Sequence, residues 1–350
     1  MAATERITET AMVVLSRRPH HSGPVPEDFA VETRPLPEPG PGQLLVRNSY
    51  MSVDPSMRGR LEDTEKHYTT NFEVGSPLDG SALGRVLASN EPAIPPGRFV
   101  RHRSGWRDHA VVDASSVSVI DERAAPLSMW LGVLGQTGFT AYAGLVRAGE
   151  FRPGDSVFVS AAAGAVGSVV GQMARLMGAS RVVGSAGGAD KCRLLVEQLG
   201  FDAAFDYRSE DPGSGLRRVA PDGIDLYFDN VGGEQLVAAL HHLRIGGRVA
   251  LCGQIASMLG QSPGQDIGHL IQAVLKRLTL RGFIVRDHED IRAEFEQRTL
   301  AWLAAGELVS KETVVDGLDH AVEALLGMLS GANTGKMLVR LDPDVEESLS

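Results

Sequence analysis

The chain has 350 residues, 43% of them hydrophobic and 22% charged, which excludes wholesale disorder and suggests about two domains. Its 34 basic residues face 44 acidic ones, a net charge of −10 with no offsetting basic block, so nucleic acid is not the expected partner. No run of about 18 apolar residues occurs, and no membrane partner is expected. Near the start, the apolar stretch Ala11 to Leu15 is short and flanked by acids, unlike a secretory signal. Two cysteines, Cys192 and Cys252, are too few for a Cys₄ zinc site or a disulfide framework, and the expected compartment is the reducing cytoplasm. Five of the 34 basic residues are lysines, so each lysine carries slightly more information than usual.

The first 120 or so residues consist of short apolar runs broken by proline and glycine, such as Leu44 to Arg47, Ser81 to Ala88 and His109 to Asp113. They predict a β-rich domain. From about residue 126 the texture changes. Ser156 to Ser160 reads as a buried strand, Ala165 to Met177 as a helix, Arg181 to Ser185 as a strand and Lys191 to Leu199 as a helix. Strands are expected at Ala203 to Tyr207, Asp225 to Asp229 and Arg248 to Gly253, with a helix from Glu234 to Leu243 between the last two. A helix near Ile267 to Arg277, a sixth strand at Leu278 to Val285 and a helix at Ile291 to Ala305 complete the series, and β character returns at Lys336 to Leu341. Alternation of this kind predicts an α/β fold with a parallel sheet.

After the first of these strands comes Ala161-Ala162-Ala163-Gly164-Ala165-Val166-Gly167-Ser168, opening a helix. The pattern is A-x-G-x-x-G, the dinucleotide fingerprint with Ala162 in place of the first glycine. Gly164 would let the backbone approach a pyrophosphate, Gly167 would let helix and strand pack closely, and N–H groups at the helix start would face the anion. The strand–turn–helix–strand context is what the motif requires. Sites for NAD place a carboxylate about 20 residues past the glycines. Here the second strand ends in Gly184-Ser185-Ala186-Gly187-Gly188, with Lys191 next and Tyr207-Arg208 after the third strand. Small residues followed by a lysine and an arginine fit a 2′-phosphate, so the expected cofactor is NADP(H). Lys191 and Arg208 also read as solvated charges, and Asp190 as a helix-start acid serving the macrodipole.

Taken together, these residues resemble the medium-chain dehydrogenase/reductase superfamily, within it the zinc-free leukotriene B4 dehydrogenase/prostaglandin reductase branch. The resemblance spans nearly the whole chain. It includes Pro37 to Gly42, the run Ser52-Val53-Asp54-Pro55-Ser56-Met57-Arg58-Gly59, the segment Leu134 to Leu145, and Asp229-Asn230-Val231-Gly232-Gly233. Cys252-Gly253 and Asn333-Thr334-Gly335-Lys336 extend it. It implies a GroES-like catalytic domain formed by residues 1–125 and 309–350, a doubly wound Rossmann domain over 126–308, and a homodimer. It also implies NADPH-dependent reduction of the carbon–carbon double bond of α,β-unsaturated ketones and aldehydes. Zinc-dependent relatives carry a cysteine and a Gly-His-Glu run in the N-terminal domain; this chain has neither there, so no metal is expected.

Carried over by position, Gly164, Ala165, Val166 and Gly167 would cradle the pyrophosphate, Lys191 would meet the 2′-phosphate and Tyr207 the adenosine end. Asn230 would close the fourth strand, Cys252 and Gly253 would flank the nicotinamide ribose, and Asn333 would reach the cofactor. Cys252 reads equally as a small buried hydrophobe. Hydride arrival at an enone leaves an enolate that needs a hydrogen-bond donor. Three tyrosines of the branch are replaced here by Ser56, Met258 and Arg286. Tyr68, in His67-Tyr68-Thr69-Thr70-Asn71-Phe72, resembles the branch's loop tyrosine over the substrate cleft and is the candidate proton or oxyanion donor; Tyr50, Arg286 and His288 are the substitutes. Arg58 reads as a structural ion pair with Asp54 or a nearby acid. Two other functions stay open, a quinone reductase of the zeta-crystallin type and a cofactor-binding protein without catalysis.

Overall fold

The computed structural model describes residues 7–20, 23–63, 69–258 and 267–345. The chain divides into two compact units, one formed by Met1–Leu131, Thr313–Asn333 and Met337–Ser350, the other by Gly132–Glu312 and Thr334–Lys336. No helix among the described residues is long and apolar enough to cross a membrane.

The first unit is built on antiparallel strands. A hairpin pairs β1 (Glu9–Leu15) with β2 (Phe29–Pro35). The larger sheet uses β3 (Gln43–Ser52), β4 (Ala82–Ser89), β5 (Phe99–His102), β6 (His109–Asp113), β7 (Ser118–Val119), β14 (Glu312–Asp316) and β15 (Lys336–Arg340). Their order is β14-β15-β3-β4-β5-β7, with β6 also on β3. A short helix, α1 (Ser56–Arg60), follows β3. Val13, Leu15, Met51, Leu61 and Trp106 form its core with Ala324, Leu325 and Met328, so the C-terminal segment completes the packing. Arg58 at the end of α1 pairs with Glu62 at 2.6 Å, while Asp54 accepts from the Ser52 hydroxyl. The expected ion pair is therefore with the acid one helical turn on.

The second unit carries β8 (Ser156–Val159), β9 (Arg181–Ala186), β10 (Ala203–Asp206), β11 (Ile224–Asp229), β12 (Leu243–Leu251) and β13 (Thr279–Gly282). All are parallel, in the order β10-β9-β8-β11-β12-β13. Numbered from the first strand of the unit, this is the doubly wound order 3-2-1-4-5-6, whose switch point lies between β8 and β11. The helices are α2 (Gln136–Ala143), α3 (Gly167–Leu176), α4 (Ala189–Gln198), α5 (Pro212–Val219), α6 (Gly233–His242), α7 (Ile255–Met258), α8 (Ile271–Lys276) and α9 (Arg292–Ala304); in the first unit α10 (Ala321–Leu329) follows β14. β8 is buried along its whole length, as a strand covered on both faces must be. Phe158 stacks between Phe205 and Tyr227, at centroid distances of 5.8 and 4.8 Å, joining β10, β8 and β11.

The α/β class with a doubly wound sheet and a separate β-rich unit is thus as expected. Several boundaries are not. The sixth strand spans four residues, not Leu278 to Val285: among the described residues β13 pairs with β12 alone, and pairing stops where β12 ends, at Leu251 opposite Gly282. From Val285 the chain turns into a 3₁₀ segment that leads to α9. α3 begins at Gly167 because residues 161–166 form the turn, and α4 begins at Ala189, which places Lys191 in its first turn.

Candidate functional site

Every site residue that falls in the second unit lies near the carboxyl end of its parallel sheet. The turn after β8 has Ala161 at φ 47°, and the Gly164 N–H donates to the Ala161 carbonyl at 2.9 Å. Ala162, Ala163 and Gly167 are buried, whereas Gly164, Ala165 and Val166 form a half-exposed crest. Gly167 is required by close approach: a Cβ there would sit 2.4 Å from the Ala161 carbonyl oxygen and 2.8 Å from the Ala162 Cα. Ala162 takes the first-glycine position without loss of register, its N–H donating to the Ser185 carbonyl at 2.9 Å. Its methyl faces Gly184 of β9, which has no side chain to oppose it. α3 then presents N-terminal N–H groups and the positive end of its dipole at the crest, a general anion-binding arrangement.

The next corner is basic. β9 ends in Ser185 and Ala186, both buried, with the Ser185 hydroxyl bonded to Gln235, so β9 itself ends without a carboxylate. Gly187 and Gly188 follow. A Cβ on Gly187 would meet Arg208 Nε at 2.8 Å and the Tyr207 hydroxyl at 2.9 Å, so both side chains lie over this turn. Lys191 is close enough to matter electrostatically: burial, and after it the charge of Arg208, lower its ammonium below the usual lysine value. Two cations at one glycine turn are an arrangement that a phosphate dianion would relieve.

Asp206, which the sequence reading passed over, holds the corner together. Its Oδ1 accepts the Gly188 N–H at 2.9 Å and the Arg208 N–H at 3.0 Å, tying the turn after β9 to the turn after β10. Slight burial pushes its carboxyl up, but the bonds from Gly188, Arg208 and Ser209 outweigh that and leave it below the usual range. Asp190 is ion-paired with Arg193 on the exposed side of α4.

At the switch point, the buried Asn230 amide donates to the Ser160 carbonyl at 2.8 Å, and its own N–H donates to Ser160 Oγ at 2.9 Å. The N–H groups of Cys252 and Gly253 both donate to the Asp229 carbonyl, at 2.9 and 3.1 Å, immediately past β12. Burial, and then the neighbouring Asp229, push the Cys252 thiol up to about 12, so it is no nucleophile at neutral pH. Gly335, from the C-terminal segment, donates its N–H to the Ala163 carbonyl at 2.8 Å and bridges Gly164. The glycine turn is therefore braced by a strand-like contact more than 160 residues away in sequence.

Tyr68 lies outside the described residues, as do 64–67 and 259–266. Tyr50 is buried in β3, and Asn333 ends a segment of the first unit. Tyr142 and Tyr227 serve the interior: the Tyr142 hydroxyl bonds Glu294, and that of Tyr227 bonds Asp229. Among the described residues no three His, Cys, Asp or Glu side chains are grouped to hold a metal ion.

Comparison with known proteins settles the family. Residues 12–120 match the model of the N-terminal domain of oxidoreductases, and residues 165–305 match that of the zinc-binding dehydrogenases. An NADPH-dependent curcumin reductase of Escherichia coli is 39% identical, covering 95% of this chain and 96% of the relative. The chain belongs to the medium-chain dehydrogenase/reductase superfamily. Within that superfamily its relatives place it in the zinc-free branch expected from the sequence. A 2-alkenal reductase (NADP⁺-dependent) of Nicotiana tabacum is 40% identical over 87% of this chain and 88% of its own length. Among solved structures, CurA from Vibrio vulnificus in complex with NADPH superposes with a TM-score of 0.89 at 38% identity, covering 95% of this chain and 99% of that one.

Proposed function

We propose that this member of the superfamily reduces the carbon–carbon double bond of α,β-unsaturated ketones and aldehydes with NADPH. The observation that carries the cofactor half is the glycine turn whose basic corner, Lys191 with Arg208 over Gly187, has no carboxylate at the end of β9. The reaction half is supported by the curcumin and 2-alkenal reductases among the relatives.

Bound NADP(H) would supply the hydride. The chain's own residues then have distinct tasks in this reading. The crest Gly164, Ala165 and Val166, with Gly167 permitting its shape, holds the pyrophosphate. Lys191 and Arg208 take the 2′-phosphate and Tyr207 covers the adenosine end. Asn230, Cys252 and Gly253 line the nicotinamide ribose, and Asn333 is a further cofactor contact. Tyr68 is the donor to the substrate oxygen as it becomes an enolate; without a metal, such a donor acts where the charge develops. An NADPH-oxidation screen over enals, enones and quinones tests the reading: saturated ketones or aldehydes should be the products, and turnover of quinones alone would overturn it.

The same reading extends to a cytoplasmic homodimer. β13 is an edge strand, and nearby Leu270, Ile271, Val274 and Leu275 are 48–70% exposed, an apolar surface of the kind that marks an interface. Light scattering at micromolar concentration should give twice the 37.3 kDa chain mass; a monomer would refute it.

A further inference from the structure

We infer that Asp229 is the positioning residue of the nicotinamide end, its buried carboxyl fixing the turn 230–233 and, through Ser160, the adjoining end of β8. This rests on the reading that NADP(H) binds at the carboxyl end of the sheet. Asp229 Oδ1 accepts the N–H groups of Gly232 at 2.7 Å and Val231 at 2.9 Å, and the Tyr227 hydroxyl donates to it at 2.7 Å. That hydroxyl also lies 3.0 Å from Ser160 Oγ, which itself accepts the Asn230 N–H. The Asn230 amide returns to the Ser160 carbonyl, so Ser160, Tyr227, Asp229 and Asn230 form a closed polar ring.

The ring sits where β8 and β11 pair, between Val159 and Phe228, which is the switch point at which open α/β sheets take their ligands. Asp229 also presents its backbone carbonyl to the N–H groups of both Cys252 and Gly253. One residue thus orders, by side chain or main chain, each of the three groups assigned to the nicotinamide ribose. Asp229 and Tyr227 are fully buried, and Asp229 Oδ2 is enclosed without a hydrogen-bond partner among the described residues. Burial raises its pKa, although bonds from Gly232, Tyr227 and Val231 oppose the shift. What the turn uses is the acceptor capacity of Oδ1, which the amide oxygen of an asparagine of the same shape retains.

The test is fluorescence titration of the full chain with NADPH and, separately, competition with 2′,5′-adenosine diphosphate, which carries the adenosine half alone. Asp229→Ala should raise the Kd for NADPH at least tenfold while changing that for 2′,5′-adenosine diphosphate less than threefold; general loss of structure would weaken both. Asp229→Asn should restore NADPH affinity to within threefold of the parent. Wild-type affinity in Asp229→Ala, or equal loss in Asp229→Asn, overturns the inference. If Asp229→Ala fails to fold, Ser160→Ala decides, because it removes the acceptor of the Asn230 N–H. A threefold or larger rise in the NADPH Kd supports the inference, and an unchanged value overturns it. Failure of the parent protein to bind NADPH would instead sink the functional reading itself.

Discussion

Replacing Lys191 by alanine should cost the protein its discrimination between NADPH and NADH. The ammonium lies in the first turn of α4, half-buried, and burial, with the Arg208 charge after it, lowers it from its usual value. A 2′-phosphate meeting both cations would make charge-assisted hydrogen bonds, each contributing about 1.5–3 kcal/mol. Partial exposure screens the lysine, so the lower end applies, roughly a tenfold rise in the KM for NADPH. NADH lacks the phosphate and is the internal control: its KM should change less than twofold. Arg208→Ala should behave alike, and the double variant should approach equal use of the two cofactors. Steady-state kinetics with each cofactor at saturating enone provide the readout. An unchanged NADPH/NADH ratio of kcat/KM in the double variant would show that this corner does not read the phosphate.

Three other outcomes follow from the geometry. Gly335 has φ 66°, and a Cβ there would fall 1.9 Å from the Lys311 carbonyl oxygen; Gly335→Ala should therefore lower the thermal midpoint and weaken NADPH binding, whereas wild-type values for both would contradict the bracing of the glycine turn. With its thiol pushed up to about 12, Cys252 should resist iodoacetamide for hours at pH 8 and react once guanidinium unfolds the chain; rapid native labelling mapped to Cys252 would refute this. Burial, and then the charge of Arg107, lower the His102 imidazole to about 4. A base whose folded pKa is depressed contributes stability that is present above its unfolded value of 6.5 and lost as pH falls toward 4, here about 3 kcal/mol at most. Urea unfolding at pH 7 and pH 4.5 should show a smaller loss for His102→Asn than for the parent, and parallel losses would contradict the assignment.

What the sequence reveals and what it hides differ in physical kind. The strand–turn–helix signal at 156–177 is local, because glycine spacing and burial are both written within one stretch of chain. The accommodation of Ala162 is not: its methyl is housed by Gly184, a partner on the neighbouring strand that no local pattern indicates. Asp206 was hidden for the same reason, since it ties together two turns that meet only when β9 and β10 pair. The helix α5 carries a plain start signal, Asp211 accepting the Ser214 N–H with Pro212 following the cap, yet few apolar residues, and periodicity alone passes over it. The sixth strand is shorter than its apolar run because that run continues past the end of β12, its partner among the described residues, and pairing, not composition, ends an edge strand. The Tyr68 assignment rests on resemblance alone.

The most direct test of enone reduction uses NADPH carrying deuterium at the transferable C4 position, with a simple acyclic enone as substrate and the product read by NMR. Deuterium should appear on the carbon β to the carbonyl of a saturated ketone, with no allylic alcohol formed. Deuterium on the carbinol carbon of an allylic alcohol would contradict the account, and so would the absence of transfer across a broad panel of enones and enals despite NADPH binding.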